Sequence, residues 1–193
     1  MTQAYLLVAL VMASLCAFSA WSMHHIPGFS LFKNICHSGT YGNESVKDIH
    51  AIGSAKLDGT TVLDSTKVDG NLKAKDATLN KVNVNGSVNL EGCTINGNAN
   101  INGYLEGKGN TFKGTLSVSS ESVSLDSSSL QSIEIRKVYP KRDKQVVKLQ
   151  NNTFIAGNIT FASGDGEVLI DASSKVLGKV IGGTLIRANG SKL

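Results

Sequence analysis

The sequence predicts an all-β protein, a single-stranded parallel β-solenoid of about eight coils with about 17 residues per coil. First, apolar residues alternate with polar ones over short stretches such as residues 99–101, which is the period of a β-strand. Second, a pattern of the form apolar-x-Gly-x-apolar-x-apolar recurs along the chain. Third, its glycines keep a nearly constant spacing, since Gly53, Gly70 and Gly86 lie 17 and 16 residues apart.

The recurring pattern explains how such short strands become stable. Its copies begin at Ala51, Val68, Val84, Ile95, Phe112, Ile155 and, with a looser match, Val176. Each strand alone buries too few apolar side chains to offset the entropy cost of ordering its backbone. Stacked coils overcome this cost, because each backbone bonds to the next and the inward side chains form a continuous core. Glycine suits the corners between strands because it tolerates positive φ angles. Proline cannot donate a hydrogen bond within a central strand, and Pro27 and Pro140 both lie outside every copy.

The composition agrees with a solenoid and excludes other classes of protein. The 193 residues include 20 glycines, and aromatic residues make up 6%, too few for an ordinary layered core. The net charge of +4 is too small to indicate nucleic-acid binding, so no nucleic-acid partner is expected. Outward-facing asparagines between residues 83 and 102 are expected either to stack as amide ladders or to serve solubility alone.

The N-terminal region differs in composition from the rest of the chain. Residues 4–21 carry no charge, as in the apolar core of a secretory signal. We therefore expect residues 1–22 to be a signal peptide, or a membrane anchor if they are not cleaved. The protein is accordingly expected to be periplasmic, secreted or on the cell surface of a bacterium. Residues 23–48 are predicted to cap the first coil, residues 49–187 to form the solenoid, and residues 188–193 to be a short tail.

Basic residues interrupt the coil series at residues 136–148, where we predict an inserted loop or hairpin that protrudes between Ile133–Ile135 and Val146–Leu149. They are Arg136, Lys137, Lys141, Arg142, Lys144 and Lys148. Positive charge concentrated on a loop attracts anionic partners, so one interpretation is binding to a glycan or to an anionic surface such as a membrane. The other interpretation is an ordinary solvated loop.

The C-terminal end of the solenoid is a second candidate surface. Residues 188–193 are too few to cover a whole coil beyond Leu185 and Ile186. An uncovered coil presents unpaired backbone groups, which favour pairing with another chain. We therefore predict self-association through Leu185 and Ile186, with a second copy or another envelope component as the partner.

The sequence indicates no catalytic residue, no cofactor site and no metal site. Enzymes that cleave polysaccharides use a pair of neighbouring carboxylates, whereas the acidic residues here are scattered. An enzyme acting on polysaccharide is therefore ranked third among the interpretations of function. The spacing of His24, His25, Cys36 and His37 matches no zinc-ligand pattern. Cys93 lies on a predicted buried face, which favours a small core residue over a disulfide with Cys36.

The repeats resemble those of the bactofilins, polymer-forming bacterial β-helix proteins. The likeness lies in VDGNL (68–72), VNGSV (84–88) and SKVLGKVIGG (174–183), and it extends over residues 50–187. The resemblance implies a right-handed parallel β-helix without a cofactor, and filaments built by end-to-end stacking. The expected function is a non-enzymatic structural or interaction protein of the bacterial cell envelope. Binding of a glycan or an anionic surface through the basic loop is the alternative.

Overall fold

A computed structural model of the chain describes residues 38–140 and 143–187. The contacts divide the chain into two units, Met1–Leu31 and Phe32–Leu193, and every described residue belongs to the second unit. The predicted signal peptide or anchor, most of the predicted cap and the predicted tail at residues 188–193 therefore lie outside the described residues.

The described residues form an all-β structure in which parallel strands stack as a solenoid. The first half contains β1 (Gly39–Tyr41), β2 (Ser45–Asp58), β3 (Thr61–Lys75), β4 (Thr78–Glu91), β5 (Thr94–Ile95), β6 (Ala99–Asn102), β7 (Leu105–Lys108), β8 (Thr111–Ser119) and β9 (Ser122–Asp126). The second half contains β10 (Ser129–Ile135), β11 (Val146–Gln150), β12 (Phe154–Ile155), β13 (Ile159–Phe161), β14 (Gly166–Ile170), β15 (Lys175–Val176), β16 (Val180–Ile181) and β17 (Gly183–Arg187).

Each turn of the solenoid has three walls, as the pairing of the long strand β4 shows. Its first residues pair with β5, its middle with β6 and its last residues with β7. We call these three rows of pairing wall 1, wall 2 and wall 3. The described residues make about nine turns in this way, the first of them represented by β1 on wall 3. The predicted parallel β-solenoid is thus confirmed.

The solenoid starts earlier in the chain than the predicted boundary at residue 49. Strand β1 pairs with residues 55–57, and β2 begins at Ser45. The side chain of Tyr41 lies in the inward row of wall 3 beside Leu57 and is fully buried. This turn was missed because it lacks the glycine pattern and carries an aromatic residue where the next three turns carry aliphatic ones.

The core is one continuous column of inward side chains that runs through all the turns. Wall 1 contributes Val62, Leu79, Ile95, Phe112 and Leu130, and wall 3 contributes Leu72, Val88, Leu105, Val123 and Val147. Cys93 belongs to the same cluster and is 1% exposed, so its prediction as a core residue is confirmed. Burial raises the pKa of its thiol, which donates a hydrogen bond to the carbonyl of Glu91. Cys36 lies outside the described residues.

Buried polar side chains fill the corner between wall 3 and wall 1. Asn110, Ser128 and Thr153 occupy this corner in three successive turns. The N–H of Asn110 donates to Ser128 Oγ at 3.1 Å, and the N–H of Ser128 donates to Thr153 Oγ1 at 3.3 Å. Backbone donors at the bend, which the wall ladders do not pair, are thereby satisfied by a side chain from the next turn.

Unlike the residues of this corner, Thr66 is buried with its hydroxyl unpaired within the described part of the chain, and its replacement should stabilise the protein. It lies in the inward row of wall 2 between Ile49 and Val82, and its hydroxyl has no hydrogen-bond partner among the described residues. Thr66→Val removes a desolvated, unpaired hydroxyl and keeps the shape of the side chain. We expect the free energy of unfolding to rise by about 1–2 kcal/mol, measured by urea denaturation followed by circular dichroism.

Thr153→Val is the matched control. Thr153 is as buried as Thr66, but its hydroxyl donates to the carbonyl of Gln150 at 2.6 Å and accepts the N–H of Ser128. The same substitution should therefore lower the free energy of unfolding by about 1–3 kcal/mol. Changes of the same sign in both variants would contradict the interpretation.

Candidate interaction surfaces

The last turn leaves the interior of the solenoid open at one end. Val176, Val180 and Leu185 continue the inward rows of walls 1, 2 and 3. They are only partly buried, whereas their partners in the preceding turn are 0% exposed. Those partners are Ile155, Ile159 and Val168. The end of the core is thus an apolar surface that water reaches.

The open end is concave and glycine-rich. Gly178 and Gly183 line it together with the three inward residues, and the concave space has a volume of about 590 Å³. Within the described residues, β15, β16 and β17 each pair with one strand, namely β12, β13 and β14. One edge of each strand therefore presents backbone N–H and C=O groups without a strand partner, as at any sheet edge.

The two residues predicted for self-association take different positions on the last turn. Leu185 pairs with Val168 and points inward, toward the open end. Ile186 pairs with Leu169 and lies in the outward row of wall 3. Two other apolar side chains of the last turn, which the sequence analysis missed, are more exposed: Leu177 is 57% exposed and Ile181 is 46% exposed.

The first full turn has a different environment from the last. Val46, Ile49 and Ala51 lie in its inward rows and are at most 1% exposed. Tyr41, in the partial turn before it, is also fully buried, and this burial raises the pKa of its phenol to about 12, with the nearby charge of Glu44 contributing. The two ends of the described solenoid therefore differ, since only the last turn exposes core residues to water.

The basic segment joins two strands, as predicted, and these strands are β10 and β11. It runs from residue 136 to residue 145 between β10 and β11. Lys148 belongs to strand β11, where it lies in the outward row of wall 3.

The described basic residues do not form one continuous patch. The guanidinium of Arg136 donates to Asn102 Oδ1 at 2.7 Å and to the carbonyl of Ile101 at 3.3 Å, on wall 2. Lys144 forms an ion pair with Glu167 at 2.7 Å, which raises the pKa of its ammonium. Lys137 lines a small pocket beneath the segment, and Lys148 faces outward from wall 3. Lys141 and Arg142 lie outside the described residues.

Amide ladders run along the outer surface of wall 2, which was one of the two expectations for the asparagines. Asn102 Nδ2 donates to Asn85 Oδ1 at 2.7 Å, and Asn85 Nδ2 donates to Asp69 Oδ1 at 2.6 Å. Arg136 continues this ladder from the other side of Asn102. A second, parallel contact joins Asn100 to Asn83 at 3.2 Å.

Wall 3 carries a row of charges whose sign alternates from turn to turn. In order along the solenoid, the row consists of Asp58, Lys75, Glu91, Lys108 and Asp126. Hydrogen bonds from Ser127 and Asn151 lower the pKa of Asp126, and the neighbouring positive charge of Lys108 lowers it further. Such a row favours this order of stacked turns. If one turn were left out of the stack, two like charges would become neighbours.

Residues 38–140 and 143–187 contain no group of three His, Cys, Asp or Glu side chains arranged to hold a metal ion. The same ranges contain no helix long and apolar enough to cross a membrane.

Comparison with family models, curated proteins and solved structures finds no match to this chain.

Proposed function

We propose that this protein is a non-enzymatic structural component of the bacterial cell envelope that self-associates through the open last turn of its solenoid. One observation carries the proposal: Val176, Val180 and Leu185 are core residues by position, yet they are only partly buried. A second chain stacked on this turn removes them from water and pairs the free edges of three strands.

The partner that fits this surface best is a second copy of the same chain. The open turn has three short strands with inward apolar residues, and another last turn presents the same three strands and residues. A two-fold axis through the end would pair each last turn with its copy, which is the self-complementary arrangement of most homodimers.

The difference between the two ends determines the kind of assembly. Residues Val46 and Ile49 of the first full turn are already buried, so stacking on that end would gain little from the hydrophobic effect. Pairing through the last turn alone yields a closed dimer rather than a filament. Our proposal thus differs from the filaments that the resemblance to bactofilins implies, although it uses the same kind of contact.

The location in the envelope is part of the proposal. It is supported by the charge-free run at residues 4–21, which has the composition of a secretory signal. A solenoid whose length is set by stacked turns suits a scaffolding role, because every turn is stabilised by contact with its neighbours.

Leu185→Lys should abolish self-association. The substitution places an ammonium group where the proposed dimer buries a leucine side chain, and an unpaired buried charge opposes association strongly. We expect the wild-type chain to show a monomer–dimer equilibrium in sedimentation experiments over a concentration series. The variant should sediment as a monomer throughout, with its β-sheet circular dichroism spectrum preserved.

Ile186→Lys provides the control on the same turn. It introduces the same charge one residue further along, but on the outward side of wall 3, where water can solvate the ammonium. Its dimerisation should match that of the wild type. A wild-type chain that stays monomeric at every concentration would overturn the proposal, as would equal loss of association in both variants.

A further inference from the structure

Wall 2 presents a patch of uncharged polar side chains that the proposed end contact does not use. The patch consists of two outward rows on the strands β4, β6 and β8. One row is Asn83, Asn100 and Ser117, and the other is Asn85, Asn102 and Ser119. None of these side chains is buried. We call the patch the amide face.

Hydrogen bonds between turns hold the asparagines of the amide face in place. Asn102 Nδ2 donates to Asn85 Oδ1 at 2.7 Å, and Asn100 Nδ2 donates to Asn83 Oδ1 at 3.2 Å. The side chains therefore keep the spacing of the strands beneath them, about 4.8 Å per turn. In cross-β assemblies, rows of side chains with this spacing interdigitate with the identical rows of a second sheet. The amide face thus has the period that fits a second copy of itself.

Charged side chains stand at the four corners of the amide face. In the turn before it, Lys67 begins the first row and Asp69 begins the second. In the turn after it, Glu134 ends the first row and Arg136 ends the second. Each row therefore has a positive charge at one end and a negative charge at the other, and the two rows have opposite directions of charge.

This order of charges matches a second copy that runs in the opposite direction. Consider a two-fold axis that lies between two facing copies and is parallel to strand β6. Each row then faces the same row of the other copy in reverse order. Lys67 of one copy lies opposite Glu134 of the other, and Asp69 lies opposite Arg136. Opposite charges therefore meet at all four corners.

The remaining side chains of the two rows agree with the antiparallel arrangement. Each row places an asparagine from before β6 opposite a serine from after β6, as Asn83 lies opposite Ser117. A large and a small side chain thus meet, whereas two parallel copies would place asparagine against asparagine. One turn beyond the charged corners, Ile52 lies opposite Ala162. Ile52 is 59% exposed in the single chain, and this contact covers it with an apolar partner.

We propose that the amide faces of two copies of this chain bind each other in the antiparallel arrangement. The seven turns that take part extend about 30 Å along the solenoid and about 10 Å across it, which gives about 300 Å² on each copy. Stable complexes bury about 800 Å² on each partner, so we expect a weak contact with a Kd on the order of 1 mM. The contact uses different residues from the open last turn, and it joins end-linked dimers side by side.

A charge swap between two copies tests the proposal. The parent is the full chain with Leu185→Lys, which removes the end contact, studied at millimolar concentrations above those of the sedimentation series. Its asparagine side-chain signals in nuclear magnetic resonance spectra should shift with concentration. Adding Lys67→Glu, or instead Glu134→Lys, should weaken this association about tenfold, because like charges then meet at two corners. An equimolar mixture of the two variants should associate as strongly as the parent, since opposite charges meet again between unlike copies.

Lys113→Glu in the same parent is the matched control. Lys113 is also an exposed lysine, but it lies on the outward side of wall 1. Its charge reversal should leave the association unchanged. Spectra of the parent that do not depend on concentration would overturn the proposal. A mixture of the two swapped variants that associates no better than either variant alone would do so as well, because it would mean that Lys67 and Glu134 do not face each other.

Discussion

Gly86→Ala should prevent the solenoid from folding stably. Gly86 belongs to a column of glycines at one corner of the solenoid, which is made of Gly53, Gly70, Gly86 and Gly103. Its φ is +144°, a backbone conformation that residues with a side chain rarely adopt. A Cβ built on Gly86 would also overlap the carbonyl oxygen of Gly70 in the preceding turn.

The surrounding backbone cannot move to relieve this overlap. Gly70 and Gly86 are paired in the ladder between β3 and β4, which extends over both strands almost from end to end. Relief would require separating two turns, and turns in a solenoid are stabilised by contact with their neighbours. We expect a loss of more than about 4 kcal/mol, comparable with the whole stability of many domains. Urea denaturation, or a loss of soluble protein, would measure it.

Gly42→Ala is the control for the generic effect of replacing a glycine. Gly42 lies between β1 and β2, where a Cβ would meet no atom within 4 Å. Its φ is not in the left-handed region. The free energy of unfolding should change by less than about 1 kcal/mol. Similar stability of the two variants would show that the glycine column does not hold the turns together as described.

The fold was predictable because its determinants are local and repeated. Residues 84–88 show this well: Val84 and Val88 point inward from walls 2 and 3, and Gly86 forms the bend between them. The same arrangement occurs in three neighbouring turns, at residues 51–55, 68–72 and 101–105, so one error in the pattern does not conceal the period. The inserted segment was predictable for the same reason, since the alternation stops after Ile135 and resumes at Val146.

The buried polar corner was not predicted, although its signal is present in the sequence. Asn110, Ser128 and Thr153 are polar residues between strands, which a pattern of alternation assigns to exposed turns. They are buried because the backbone turns sharply there and a side chain from the next turn must pair its N–H groups. Each stands one residue before a wall 1 strand, as do Ala77 and Cys93. This fixed position is the signal that identifies the corner.

The small pocket beneath the segment between β10 and β11 could not be predicted from the sequence, because its walls come from distant positions in the chain. Glu121 precedes β9, Gln145 precedes β11 and Ser163 follows β13, and these three strands belong to successive turns. The basic residues show the opposite effect. Arg136 and Lys148 are close in sequence but lie on different walls, because the chain turns a corner between β10 and β11.

Asn110→Ala should cause the second large loss of stability. Asn110 is 1% exposed, and its side chain joins the turn before it at two points. Its Oδ1 accepts the N–H of Cys93 at 2.8 Å, and its Nδ2 donates to the carbonyl of Leu90 at 2.9 Å. Alanine leaves this N–H and this carbonyl buried without partners and opens a small cavity between the turns.

The expected loss follows from the cost of two unpaired buried groups. Each costs about 1–3 kcal/mol, so the free energy of unfolding should fall by about 2–6 kcal/mol. Asn85→Ala is the matched control, because Asn85 also makes two side-chain hydrogen bonds, at 2.6 and 2.7 Å, but on the exposed ladder of wall 2. Water replaces those partners, so the loss should stay below about 1 kcal/mol. Urea denaturation of both variants measures the difference, and equal losses would mean that burial at the corner does not set the cost.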